Sequence, residues 1–213
     1  MLRSPHHSPE LVPSPRPLQP GCYYHIFNRG NNRENIFIEG RNYDYFINLY
    51  VRYIQSVTDT YAYCLMRNHF HLLVRVKDER ETLKVSKTFR VFADASQAFS
   101  NLFNAYAKAI NKAYGRTGSL FEHPFGREVV ASDSYFARLV LYIHYNPQKH
   151  GFVNDFRSWP YSSYKTILST APTFLQREDV LEWFGGRQGF KTFHQNEAYE
   201  NNLNGLALID NEP

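Results

Sequence analysis

At 213 residues with 43% hydrophobic side chains, the chain can bury one substantial core, and its formal charge of +4 admits a polyanionic partner without requiring one. No apolar run approaches the roughly 20 residues needed to span a bilayer. The two cysteines, Cys22 and Cys64, lack paired spacing, which excludes a zinc ribbon or a disulfide framework and fits a reducing cytoplasm.

The first 20 residues, with Pro5, Pro9, Pro13, Pro15, Pro17 and Pro20, lack a signal peptide's apolar stretch and read as a disordered leader. A single domain is expected over 21–165, followed over 166–213 by an extension that is partly helical and then loose. A first strand is expected over 22–27, ending in the basic loop Asn28-Arg29-Gly30-Asn31-Asn32-Arg33. From Arg41 onward, Tyr45, Phe46, Leu49, Tyr50, Tyr53 and Ile54 recur at three- and four-residue steps, which predicts an amphipathic helix.

A second strand follows over 60–66. Arg67-Asn68 then turns the chain into Arg67-Asn68-His69-Phe70-His71-Leu72-Leu73-Val74-Arg75-Val76, and so short a connection requires antiparallel neighbours. Strand side chains alternate, so His69, His71, Leu73 and Arg75 point one way and Phe70, Leu72, Val74 and Val76 the other. One face is expected to be core and the other a candidate metal site.

A long helical region is expected over 83–114, with a break near 93–96, carrying Phe89, Phe92, Phe99, Leu102, Phe103, Tyr106 and Ile110. Residues 116–124 are punctuated by glycine and proline and lead into a short strand over 125–131. Asp133 or Ser134 is expected to cap a helix over 135–146 that stops before Pro147. Residues 159–164 read as a wrapping segment, 180–184 as a short helix, and the polar residues from 198 as a loose tail. The sequence has no internal repeat.

In the helix over 135–146, Phe136, Leu139, Val140 and Ile143 form the buried stripe, with Tyr142 and Asn146 one turn apart at its edge. A phenol and a carboxamide can thus meet two imidazoles over the sheet. That set suits phosphodiester chemistry: His69, His71 and the amide oxygen of Asn146 can hold Mg²⁺ or Mn²⁺ while the Tyr142 oxygen attacks phosphorus. The attack would leave a tyrosyl 5′-phosphate and a free 3′ hydroxyl, which retains the bond energy for rejoining. Tyr145 is the alternative nucleophile, and His25, His144 and His150 are alternative ligands. His144 projects about 160° from Tyr142, away from its site. Asn146 also has a plain use as a helix-terminal residue before proline.

In this order, Asn28-Arg29-Gly30-Asn31, Arg67-Asn68-His69-Phe70-His71-Leu72-Leu73, Gly118-Ser119-Leu120-Phe121 and Tyr142-Ile143-His144-Tyr145-Asn146-Pro147 resemble the single-tyrosine HUH transposases. Within these, related to the insertion-sequence 200-like enzymes, the nearest branch is the REP-associated tyrosine transposases; the resemblance covers residues 20–165. It implies an α+β, ferredoxin-like antiparallel sheet with helices, the HUH fold. It also implies that hairpin-containing single-stranded DNA is bound, cleaved and rejoined through a 5′-phosphotyrosine, by a monomer or homodimer. By the same resemblance His69 and His71 are the paired ligands, Tyr142 the nucleophile and Asn146 the third ligand. Asn28, Arg29, Asn31 and Arg33 fall where relatives contact DNA. Two features depart from the pattern: Phe121-Glu122, where many relatives have Trp-Gln, and the Pro-rich leader. The competing function is a hairpin-binding protein that does not cut, and metal-dependent hydrolysis by water is disfavoured because no carboxylate cluster accompanies the histidines.

Overall fold

A computed structural model describes residues 17–78 and 94–195. The expectations for residues 1–16, for the helical region before Asp94 and for the tail beyond 195 lie outside the described residues.

Among the described residues four strands form one antiparallel sheet: β1 (Tyr23–Arg29), β2 (Thr58–Leu65), β3 (His69–Val76) and β4 (Gly126–Val129), in the order β2-β3-β1-β4. Helix α1 (Gly40–Ile54) joins β1 to β2 and helix α2 (Ala95–Tyr114) precedes β4, so each crossover skips the central strand between its ends. This is the ferredoxin-like α+β arrangement. The Arg67-Asn68 turn makes β2 and β3 antiparallel neighbours, paired from Leu65 with Phe70 to Thr58 with Val76 with a shift of register between Ala62 and Thr60.

The face bearing Phe70, Leu72, Val74 and Val76 packs with Tyr24 and Ile26 against Phe46, Leu49 and Tyr50 of α1 and Phe99, Leu102 and Tyr106 of α2. Asp94 caps α2 by accepting the Ser96 backbone N–H, and a left-handed Gly115 ends it. The buried stripe of α1 includes Tyr43, while Tyr45 is 40% exposed. Leu18 also lies in this core, its N–H bonded to Ser96 Oγ.

The opposite face, which carries the histidines, is covered too, as the apolar stripe of the helix expected over 135–146 requires. Helix α3 (Asp133–Lys149) lies there, and Leu73 packs in one cluster with Leu139, Val140, Tyr142 and Ile143. The cap of α3 is Ser132, not Asp133 or Ser134; its hydroxyl accepts the Tyr135 N–H, the third residue on, as cap geometry requires. Helix α3 also runs through Pro147 instead of stopping at Asn146. Near a C-terminus proline forfeits only one backbone bond, and the last turn is held by His150 N–H to Asn146 O and Phe152 N–H to Pro147 O.

Beyond α3 the chain wraps the edge strand β2. Trp159 Nε1 donates to Leu65 O and Ser163 N to Tyr63 O, and bridges pair Cys64 with Ser162 and Thr60 with Leu175. These contacts cover backbone groups that an edge strand would leave open. Helices α4 (Tyr164–Leu168), α5 (Arg177–Trp183) and α6 (Gly186–Gln195) then bury Ile167, Val180, Leu181 and Phe190 in the same cluster as Tyr142. The helix expected over 180–184 is α5. Both cysteines are free, Cys64 within β2 and Cys22 just before β1.

Candidate active site

The β1–β3 register sets Arg29 opposite His69, Phe27 opposite His71 and His25 opposite Leu73. Alternation therefore puts His25, Phe27 and Arg29 on the face that carries His69 and His71. Residues 28 and 29 belong to β1 and not to a loop; the chain leaves the strand only at Gly30, which bridges to Phe121.

His25 and His71 are stacked, with ring centroids 5.0 Å apart at 25°, and His25 Nε2 lies 2.9 Å from His71 Nδ1. His69 stands edge-on to His71 at 5.2 Å, and its Nδ1 lies 2.7 Å from Asn68 Oδ1. The Tyr142 ring meets His71 edge-on at 5.5 Å and His25 at 6.1 Å. Both halves expected from the sequence, the histidine pair on β3 and the tyrosine on α3, thus come together. The Tyr145 ring packs on Phe156, with centroids 5.9 Å apart.

At the C-terminal end of α3, His150 packs against His69 with centroids 4.8 Å apart, and the Lys149 ammonium lies 5.2 Å from the Tyr142 ring centre. Burial, together with the positive charge that His25, His69, His150 and Lys149 can carry, holds the His71 imidazole well below its ordinary pKa. His71 is neutral at pH 7, the form a metal ligand requires.

Asn146 is fully buried; its Nδ2 donates to Tyr142 O, while its Oδ1 has no hydrogen-bond partner among the described residues. Leaving a buried acceptor unsatisfied costs about 1–3 kcal/mol. An amide oxygen in that state, one turn along α3 from Tyr142, is a hard donor of the kind a divalent ion takes. Among the described residues, no group of three or more His, Cys, Asp or Glu side chains could hold a metal. Tyr142 is only 1% exposed and His71 2%, so a strand reaches them only by displacing the side chains that cover them.

The expected DNA contacts separate. Arg29 lies on the site face, 4.0 Å from Glu122, while Asn31 and Arg33 are exposed on a 3-10 turn whose Asn32 and Arg33 have left-handed backbones. Asn28 faces the other side of the sheet, 5% exposed, and its oxygen accepts the Arg29 N–H. The structure does not bring it to the surface.

His144 belongs to a separate, largely buried chain of hydrogen bonds. His194 Nδ1 donates to Phe190 O at 2.8 Å, which leaves its Nε2 to accept from His144 Nδ1 at 2.9 Å. His144 Nε2 then accepts from the Ser163 hydroxyl at 2.7 Å, and that hydroxyl accepts the Tyr63 N–H at 2.9 Å. The direction of every bond follows from the Phe190 carbonyl, which can only accept. Burial pushes His194 down to about 4 and holds His144 well below its ordinary value.

Sequence reasoning held His25 and His150 only as alternative ligands and passed over Lys149. The signal for Lys149 was its place seven residues after Tyr142, two turns along one face. No helix among the described residues is long and apolar enough to cross a membrane.

The chain matches no protein-family model. It is 28% identical over 108 residues to a Haemophilus influenzae protein named as a REP-associated tyrosine transposase, a match spanning 50% of this chain and 58% of the relative. A solved REP-associated tyrosine transposase, bound in that structure to a REP hairpin, superposes with a TM-score of 0.58 at 14% identity, covering 76% of this chain and 89% of the other. In sequence over half its length and in fold over three quarters, the chain is similar to the REP-associated tyrosine transposases.

Proposed function

We propose that this protein is a transposase that binds hairpin-containing single-stranded DNA and cleaves and rejoins it through a phosphotyrosine on Tyr142. The observation that carries this reading is the convergence of Tyr142 on the buried His25–His71 pair, 5.5 Å from His71 and in the same chain. The two similarities support it.

His69, His71 and Asn146 would hold Mg²⁺ or Mn²⁺, which when bound supplies Lewis-acid polarisation of the scissile phosphate. The chain's own residues do the rest. Arg29, Lys149 and the 3-10 turn supply positive charge and donors to the sugar–phosphate backbone. The Tyr142 oxygen attacks phosphorus, the bond to the 3′ oxygen breaks, and the 5′ phosphate stays on the tyrosine. The phosphotyrosine is resolved when a second 3′ hydroxyl attacks the same phosphorus and releases the tyrosine oxygen.

The test is incubation with Mn²⁺ and single-stranded DNA carrying a hairpin. A covalent adduct that Tyr142→Phe abolishes is expected; an adduct that persists in Tyr142→Phe would move the nucleophile elsewhere. The 1% exposure of Tyr142 favours a second reading, a hairpin-binding protein that does not cut. Tight hairpin binding with no adduct on any flanking sequence would select it.

A further inference from the structure

His25 has no part in the proposed chemistry, yet it is fully buried against His71. An imidazole ligates a metal through a nitrogen lone pair, and its two nitrogens cannot both carry one when the ring has its single proton. His71 Nδ1 is engaged by His25 Nε2 at 2.9 Å, so Nε2 is the nitrogen left for a ligand, and the His71 proton must then sit on Nδ1. That arrangement requires His25 to accept. Were His25 the donor, His71 would carry its proton on Nε2 and could not coordinate through it.

The second histidine is set in the same way. Asn68 Oδ1 can only accept, so the 2.7 Å contact puts the His69 proton on Nδ1 and the lone pair on Nε2. On this side the carboxamide oxygen fixes the tautomer by itself; on the other the contact fixes it only with His25 as the acceptor. His25 is held for this task by the Phe27 ring at 4.9 Å and by the stacking of its own ring on His71.

We infer that His25 is a positioning residue that holds His71 in its Nδ1–H tautomer and so presents Nε2 to a divalent cation. The inference rests on the metal reading above; partners of this kind fix both ring orientation and tautomer at histidine metal sites.

The experiment uses the full chain without DNA. Mn²⁺ affinity is measured by titration calorimetry for wild type, His71→Ala, His25→Leu and His25→Gln, with thermal melts confirming folding. The Gln amide oxygen falls near the position of the imidazole Nε2 and can accept the same bond. Saturable binding by wild type, loss in His71→Ala, a ten- to hundredfold weakening in His25→Leu and recovery to within a few fold in His25→Gln are expected. Wild-type affinity in a folded His25→Leu overturns the role of His25 and leaves the metal site standing. Absence of binding by wild type, or undiminished binding by His71→Ala, overturns the metal reading and this inference with it. Histidine ¹⁵N spectra of the metal-free wild type give a readout independent of any variant: His71 protonated on Nδ1 is expected, and a proton on Nε2 overturns the assignment.

Discussion

The Lys149 ammonium lies 5.2 Å from the centre of the Tyr142 ring, two turns along the face of α3 that also carries Asn146. Lys149 is exposed, so its charge lies on the approach to a buried phenol. Under the proposed chemistry an incoming phosphate meets this cation before it meets the tyrosine. Lys149→Met keeps the apolar stem and removes the charge. It is expected to slow adduct formation about tenfold and to lower the salt dependence of single-strand binding by about one unit of log–log slope, whereas Lys149→Arg keeps both near wild type. Unchanged rate and slope in Lys149→Met would remove this residue from the DNA path.

Asn146 should separate stability from activity. Its Oδ1 is a buried acceptor without a partner among the described residues, a cost that Asn146→Leu removes. The Leu variant also loses the Nδ2 bond to Tyr142 O, a term of about 1 kcal/mol that partly offsets the gain. Its melting temperature is expected to match or exceed wild type while its Mn²⁺-dependent adduct disappears. Full activity in this variant would exclude Asn146 as a ligand.

Acid should loosen the attachment of α6 to α3. His194 titrates near 6.5 in the unfolded chain and is pushed down to about 4 in the folded one, because its buried ring resists charge. The unfolded state therefore binds more protons between these values. The stabilisation is full above pH 6.5 and is lost as pH falls toward 4, amounting to about 3 kcal/mol from this residue. Urea melts across that range should show the loss, and His194→Gln, which keeps a polar partner for His144 without titrating, should flatten it. An equally steep profile in the variant would place the acid sensitivity elsewhere.

Gly126 tests the packing behind the histidines. A Cβ there would lie 2.2 Å from the Phe27 ring, and that ring packs 4.9 Å from His25 and 6.1 Å from His71. Gly126→Ala must displace Phe27, at a cost of about 1–3 kcal/mol, and should weaken Mn²⁺ binding although residue 126 touches no ligand. A variant that loses stability but keeps wild-type affinity would show that Phe27 does not support the histidines.

Local rules carried the sequence to both halves of the site. Alternation along β3 fixed which way His69 and His71 face, and the 3.6-residue period of α3 placed Tyr142 and Asn146 together. What stayed hidden depended on long-range pairing. Nothing near His25 says that β1 lies beside β3, yet only that register brings its imidazole to His71. The Ser132 cap and the turn through Pro147 went unread for a different reason: several neighbouring residues could cap equally well, and a proline in a last turn is tolerated once later N–H groups reach back to the open carbonyls.

Helix α3 is gripped on two sides, by the sheet through Tyr142 and by α6 and Ser163 through His144. A helix so held cannot swing its tyrosine out to the histidines of a second copy without breaking the buried hydrogen bonds of His144. Under the proposed chemistry Tyr142 is thus a stationary post: the nucleic acid must be carried past it, and each chain keeps hold of one severed end until another strand is delivered to the same spot.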